Sequence, residues 1–413
     1  MTYLLVRAFA PFINLFTLIV NLFIWRNKKV ILFGSWMGDK FTDNPRFMFQ
    51  YLHAHRDEYD IKKLVWVTRN EKVYEMLKTE GYEVYMMHNW RSFYYHFKAG
   101  VHIICNISFP VKGYNGDIMG HLSGHAVKIN MYHGVGIKAG KSTGENNKSR
   151  GTLGRLRYNL RNSRLFCAIF TPGHWDKCYL LSTSVECSRR DAIFSGVDQN
   201  WFIESGYPRD CKPVKLMPEE QKVVNFIRRH KTTILYVPTF RDHGEIPHPL
   251  SDERLRQWLV ESGYLWVEKP HPAAKNNVKI DGLERDVLYL ESSFDINVVL
   301  PEITILISDY SSVTYDALAF GKSVLYYAPD YQHYLTKERG FLCDYKELTA
   351  GFEAETVEEL IRKLDRAFND EVYQQELQDK IKKEQKFVLC DNKEDCGQIA
   401  DAIYRRLGVL KKL

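Results

Sequence analysis

Along most of this chain, short apolar runs of strand length alternate with segments whose apolar positions recur at helical spacing. From Lys29 onward, Val30–Gly34, Leu64–Thr68, Val84–Met86, His102–Asn106, Val127–Tyr132 and Cys167–Thr171 predict strands. Between them, Asn44–Arg56, Glu71–Gly81 and Arg91–Ala99 predict helices. The alternation resumes after Gly206, with strands expected near Ile234, Leu265, Val287, Ile303 and Val324. Repeated βαβ units imply an α/β protein, a parallel sheet with helices on both faces. The 413 residues suit two such domains, each large enough for its own core.

Two segments break the alternation. Ala8 to Trp25 carries no charge, is rich in Leu, Ile, Phe and Val, and is interrupted only by Pro11, Asn14, Thr17 and Asn21. Arg26, Lys28 and Lys29 follow directly. Eighteen helical residues would reach about 27 Å, near the lower limit for crossing a bilayer. The reading is a membrane-associated helix, spanning or lying in the interface, with the basic flank keeping the body on the cytoplasmic side. The second segment, 138–164, sets eight Lys and Arg residues against Glu145 alone, with Leu153, Leu156 and Leu160 at helical spacing. It reads as a basic amphipathic element for an anionic membrane surface, with a solvated basic loop as the plain alternative. No aromatic–basic module for nucleic acid accompanies it, and none is expected as a partner.

Composition changes little in this picture. Hydrophobic residues at 45% and charged residues at 26% describe an ordinary globular protein, and the net charge of +6 is modest. Eight cysteines lie scattered, without a C-x-x-C pair or zinc-site spacing, which points to reduced thiols, and no metal site is expected.

The chemistry gathers at strand ends. Ile305-Leu-Ile-Ser308 runs into Asp309-Tyr310-Ser311-Ser312, which opens a helix carrying Asp316. Backbone N–H groups and hydroxyls at a helix start are what a phosphate needs. Three other apolar runs end similarly, in His133-Gly134-Val135-Gly136-Ile137-Lys138, in Pro238-Thr239-Phe240-Arg241-Asp242 and in Lys269-Pro270-His271-Pro272. A lone histidine after a strand is more often structural. Two of them, each near a lysine at a strand end, suggest a site for anionic groups.

With Gly206-Tyr207-Pro208-Arg209 and Ser35 to Arg46 added, these motifs run in register over about residues 31–334. In that order they resemble the CDP-glycerol glycerophosphotransferases of teichoic acid and capsule synthesis. Tyr132 stands where that family usually has Trp, and Val135-Gly136 where it has Thr-Pro. These departures touch the loop's shape and leave the histidine and lysine in place.

The resemblance implies a GT-B-like fold: two Rossmann-type parallel-sheet domains facing a cleft, behind an N-terminal membrane-associated helix. The expected divisions are residues 1–28 for that helix, 29–205 for an acceptor domain and 206–385 for a CDP-donor domain. Residues 386–413 would form a C-terminal helix returning to the first domain. His133 is the candidate base, with phosphate orientation as the competing role. His271 is the second catalytic candidate, stabilising or protonating the leaving phosphate beside Lys269. Gly134, Lys138, Arg209, Pro238, Thr239, Arg241, Lys269, Ser311, Ser312 and Asp316 form the implied donor site. An internal Arg241–Asp242 ion pair is the plain alternative for Arg241. Asp43 and Asn44 fall on the acceptor side, where Asn44 could equally be a helix cap.

The expected reaction moves glycerol phosphate, or a related polyol phosphate, from CDP-glycerol or CDP-ribitol to a lipid-linked saccharide or growing polymer. CMP is released at the cytoplasmic face of the cell membrane, and no cofactor is expected. Two alternatives remain: a GT-B glycosyltransferase using a nucleotide sugar, and a membrane-tethered, non-enzymatic binder of anionic polymer.

Overall fold

The computed structural model describes residues 12, 15–106, 116–136, 178–195, 198–241, 247–270, 282–283, 285–338, 341, 344–388 and 396–408. Lys138, the basic segment 138–164, the strand expected at 167–171, and His271 lie outside these residues. The chain forms two compact units. The first takes in Met1–His133, Gly144–Val214 and Cys390–Leu413, and the second Gly134–Thr143 and Lys215–Leu389.

The first unit is built on seven parallel strands: β1 Asn27–Phe33, β2 Lys63–Thr68, β3 Val84–Met86, β4 Ala99–Ile104, β5 Val127–Asn130, β6 Cys178–Ser182 and β7 Phe202–Glu204. Their order across the sheet is β3-β2-β1-β4-β5-β6-β7. The register pairs Ile31 with Leu64 on one side of β1 and with Val101 on the other. Every residue of β4 is buried, as expected of a strand covered on both faces. The helix Asp43–Ala54 brings Phe47 and Phe49 into the core beside Trp66 and Phe33. The C-terminal helix Cys396–Leu407 belongs to this unit as well: Tyr59 Oη donates to Gly397 O and Asp401 Oδ1. Lys28 Nζ reaches Leu407 O at 2.7 Å.

Among the described residues, no helix is long and apolar enough to cross a membrane. Residues 15–23 are helical. Thr17 is buried, and Val20 and Ile24 pack on the first unit's core near Phe97, Ala99 and Leu122. Arg26 fastens the end of this segment. Its guanidinium donates to the carbonyls of His96 and Ala99 at 2.8 Å, of Leu122 at 3.0 Å, and of Gly124. The opposite side exposes Leu15, Leu18, Leu22, Phe23 and Trp25.

The second unit carries six parallel strands: β8 Thr233–Val237, β9 Leu265–Glu268, β10 Val287–Tyr289, β11 Ile305–Ser308, β12 Ser323–Tyr327 and β13 Glu353–Ala354. Their order is β10-β9-β8-β11-β12-β13. Both sheets therefore reverse direction of growth once, between β1 and β4 and between β8 and β11. Open α/β sheets bind ligands outside the carboxyl ends of strands at such points.

Candidate active site

In the first unit the loop after β5 carries His133, and its backbone is held from below. Tyr132 N–H donates to Asn130 Oδ1 at 3.0 Å, and Met131 N–H to Ile104 O at 2.7 Å. Asn44 Nδ2 donates to the carbonyls of Met131 and Tyr132, 3.0 Å each. Asn44 therefore does not cap its helix. The N-cap is Thr42, and Asn44 instead lies wholly buried and ties the helix to the histidine loop. Arg209 N–H donates to Asn44 Oδ1 at 3.1 Å, and Arg209 Nη1 donates to both His133 O and Asp43 Oδ1 at 2.9 Å. Asp43 Oδ2 accepts from Trp36 Nε1 at 2.9 Å, and the Trp36 ring meets the His133 ring edge-on, centroids 5.8 Å apart. Beneath it all, Asp43, Asn44 and Arg209 are buried, while His133 is exposed.

The carboxyl ends of β1 and β4 are stitched by Asp117. Its carboxylate accepts from Met37 N at 2.7 Å and from Cys105 N and Asn106 N at 2.8 Å each. Burial pushes this carboxyl up, against the lowering pull of those three amides. Gly34 makes the approach possible. A Cβ there would sit 2.0 Å from Asp117 O.

In the second unit the reversal between β8 and β11 brings together two clusters 70 residues apart in sequence. Thr239 N–H donates to Asp309 Oδ1 and Oδ2 at 2.9 and 3.1 Å. Arg241 is buried and pairs with Asp309 at 2.9 Å and Asp330 at 2.7 Å, its guanidinium 4.9 Å from the ring centres of Tyr310 and Tyr334. Burial raises the Asp330 carboxyl, but the Arg241 hydrogen bonds and charge and the Tyr310 hydroxyl outweigh it and hold it below the ordinary range. Past this lock, Ser311 and Ser312 are half-buried before the helix Val313–Ala319, and the Ser312 side chain makes no cap bond. Asp316, one turn on, is buried. Pro238 is half-buried, and Thr239 and Lys269 are buried at the ends of β8 and β9.

The structure thus brings Asp43, Asn44, Arg209 and His133 together in the first unit. In the second it groups Thr239 and Arg241 with the Asp309–Ser312 turn. Arg209, expected with the donor domain, belongs to the first unit. Among the described residues Arg241 pairs with Asp309 and Asp330, both distant in sequence, while Asp242 of the expected local pair lies outside them. Gly134 has φ 145°, a conformation open chiefly to glycine. Trp36, Asp117 and Asp330 escaped sequence reasoning, as did His248, whose Nε2 lies 2.9 Å from both Glu268 oxygens. Pro247-His248-Pro249 repeats the His-Pro signature of Lys269 to Pro272, and that repeat was the available signal.

Two doubly wound parallel sheets, with histidine at one strand end and hydroxyls beside an arginine-locked acid at another, define an α/β protein of the doubly wound class. The family model of CDP-glycerol:poly(glycerophosphate) glycerophosphotransferase matches residues 15–405, and the chain belongs to that family. It is 26% identical over 362 residues to a teichoic acid poly(glycerol phosphate) polymerase of Bacillus spizizenii, covering 83% of this chain and 85% of the relative. It is 24% identical to a teichoic acid glycerol-phosphate transferase of Staphylococcus aureus, covering 92% and 94% respectively. The fold is shared with the wall teichoic acid polymerase TagF at a TM-score of 0.68 and 19% identity, over 94% of this chain and 91% of that one.

Proposed function

We propose that the protein transfers glycerol phosphate from CDP-glycerol to a hydroxyl of a lipid-linked saccharide or growing teichoic-acid-type polymer. The family match over residues 15–405 carries this reading. The acceptor oxygen attacks the glycerol-bearing phosphorus, and the bond from that phosphorus to the bridging oxygen breaks. CMP leaves with the electron pair, and the acceptor proton passes to His133. Phosphoryl transfer asks a protein mainly for positioning and charge neutralisation. An exposed imidazole on a held loop suits the base, and the half-buried hydroxyls of Ser311 and Ser312 suit a donor phosphate. Lys138, Lys269 and His271 are assigned to anionic groups by resemblance.

The GT-B-like reading is retained, since a pair of doubly wound sheets is its ingredient. So is attachment to the cytoplasmic face of a membrane. The apolar side of residues 15–25 next to Arg26, Lys28 and Lys29 supports it. The test is CMP release from purified protein given CDP-glycerol, CDP-ribitol or a UDP-sugar, with a lipid-linked acceptor. CMP from CDP-glycerol is expected. UDP release instead would favour the glycosyltransferase alternative.

A further inference from the structure

We propose that Arg209 and Asp43 are positioning residues for His133, not ligands of donor or acceptor. The proposal rests on the reading of His133 as the base. Three observations carry it. First, Arg209 Nη1 spends its donors inside the protein, on His133 O and on Asp43 Oδ1, both at 2.9 Å, and the side chain is 4% exposed. Second, Asp43 answers with both oxygens, one to Arg209 and to Asn44 N–H at 2.8 Å, the other to Trp36 Nε1, whose ring abuts the imidazole. Third, the backbone is forced where these groups meet. Trp36, Met37, Asp43 and Tyr132 have φ of 46°, 59°, 67° and 53°, a region that side-chain-bearing residues rarely occupy.

Unfavourable backbone of this kind persists only where its surroundings over-determine it, and it gathers at functional sites. Here the over-determination has an evident object. The hydrogen bonds of Asn44 and Arg209 fall on three consecutive carbonyls, those of Met131, Tyr132 and His133. That fixes the peptide from which the imidazole projects and leaves the ring exposed. The Asp43 carboxylate neutralises the arginine and aims it. A carboxamide in its place would return no charge to the buried guanidinium.

A phosphate ligand and a positioning residue fail differently. Losing a ligand raises KM, whereas losing the aim of a base lowers kcat. The experiment measures CMP release and equilibrium binding of CDP-glycerol for Arg209→Ala, Arg209→Lys, Asp43→Asn and Trp36→Phe. Hydrogen exchange is followed for the peptide Asn130–Val135 in each variant. Arg209→Ala and Asp43→Asn are expected to lower kcat about 100-fold, the loss that a misplacement near 1 Å brings, with KM and CDP-glycerol affinity unchanged within about twofold. Arg209→Lys should recover part of kcat, and Trp36→Phe, which removes the Asp43 donor and shrinks the ring beside His133 but leaves the Arg209 bonds in place, should show the mildest loss. Exchange in the His133 peptide should rise in all four. That readout needs no reaction, so it survives a failure of the proposed activity. A raised KM or weakened CDP-glycerol binding with kcat preserved would overturn the proposal, and so would unchanged exchange. If Arg209→Ala does not fold, Arg209→Lys and Trp36→Phe decide by the same criteria.

Discussion

An arginine between a buried carboxylate, Asp309, and a half-buried one, Asp330, has to be judged by what its removal leaves behind. In Arg241→Ala, Asp309 and Asp330 would lose their shared cation, and breaking a buried pair costs about 3–5 kcal/mol. The second unit should melt earlier by that amount, measured by denaturant unfolding at pH 7. The Asp330 carboxyl is held low in the folded state, so its contribution is present above the ordinary carboxylate value of 3.8 and fades as pH falls below it. The variant's deficit should therefore narrow on acidification, because protonation removes the stranded charge. A deficit constant from pH 7 to pH 3 would mean that Arg241 acts by volume alone. His133→Ala belongs to the same scale and should cost about 10²–10⁴ in CMP release with the melting curve unmoved, since the ring is exposed. Substantial turnover in that variant would place the base elsewhere. Individual residues were the least legible part of the sequence. His133, Asn44 and Arg209 stood in visible motifs, but their mutual bonds span 76 to 165 positions. No local pattern encodes such a pairing.

At the scale of elements, strands with a full apolar run declared themselves: β3 falls at Val84–Met86 as read, and β2 differs by one residue from Leu64–Thr68. Missing from the reading were β6, β7 and β13. The last two, Phe202–Glu204 and Glu353–Ala354, are short and each holds a glutamate, so neither makes a full apolar run, and β6 is ordered by pairing with β5 and β7. Amphipathy was harder to see in the N-terminal segment, because both of its faces are apolar. Only the structure separates Thr17, Val20 and Ile24, turned to the core, from Leu22 at 65% exposed and Phe23 at 83%. That separation allows a clean test of the membrane reading. Leu22→Asp with Phe23→Asp should leave unfolding free energy within about 0.5 kcal/mol, as exposed substitutions do. Sedimentation with anionic vesicles should fall by about 100-fold or more, given roughly 1.5–3 kcal/mol for each large apolar side chain withdrawn from the interface. Unchanged sedimentation would assign the membrane role to another segment or to none.

On the scale of the whole molecule, the first unit is assembled from three separate stretches of chain, and the last of them comes after the entire second sheet. Such an order makes the C-terminal helix a late but necessary part of an early fold. Cys396–Leu407 buries Ile399, Ile403, Tyr404 and Leu407, and Cys396 Sγ lies 3.5 Å from Pro208 O, beside the Arg209 turn. Each fully buried aliphatic side chain contributes about 1.5–3 kcal/mol, so the helix supplies a large part of any ordinary domain's margin of about 5–15 kcal/mol. Truncation after Leu389 should therefore destabilise the first unit selectively. In calorimetry or hydrogen exchange across the full chain, protection should be lost in β1, in the helix Asp43–Ala54 and at Tyr59, the groups the helix touches or flanks. Protection in β8, β11 and β12 should stay as it was. Because Arg209 and Asn44 lie in the weakened unit, the truncated protein should also lose CMP release while still binding CDP-glycerol, if the donor is held by the second sheet. Loss of donor binding in step with activity would instead tie the donor site to the first unit.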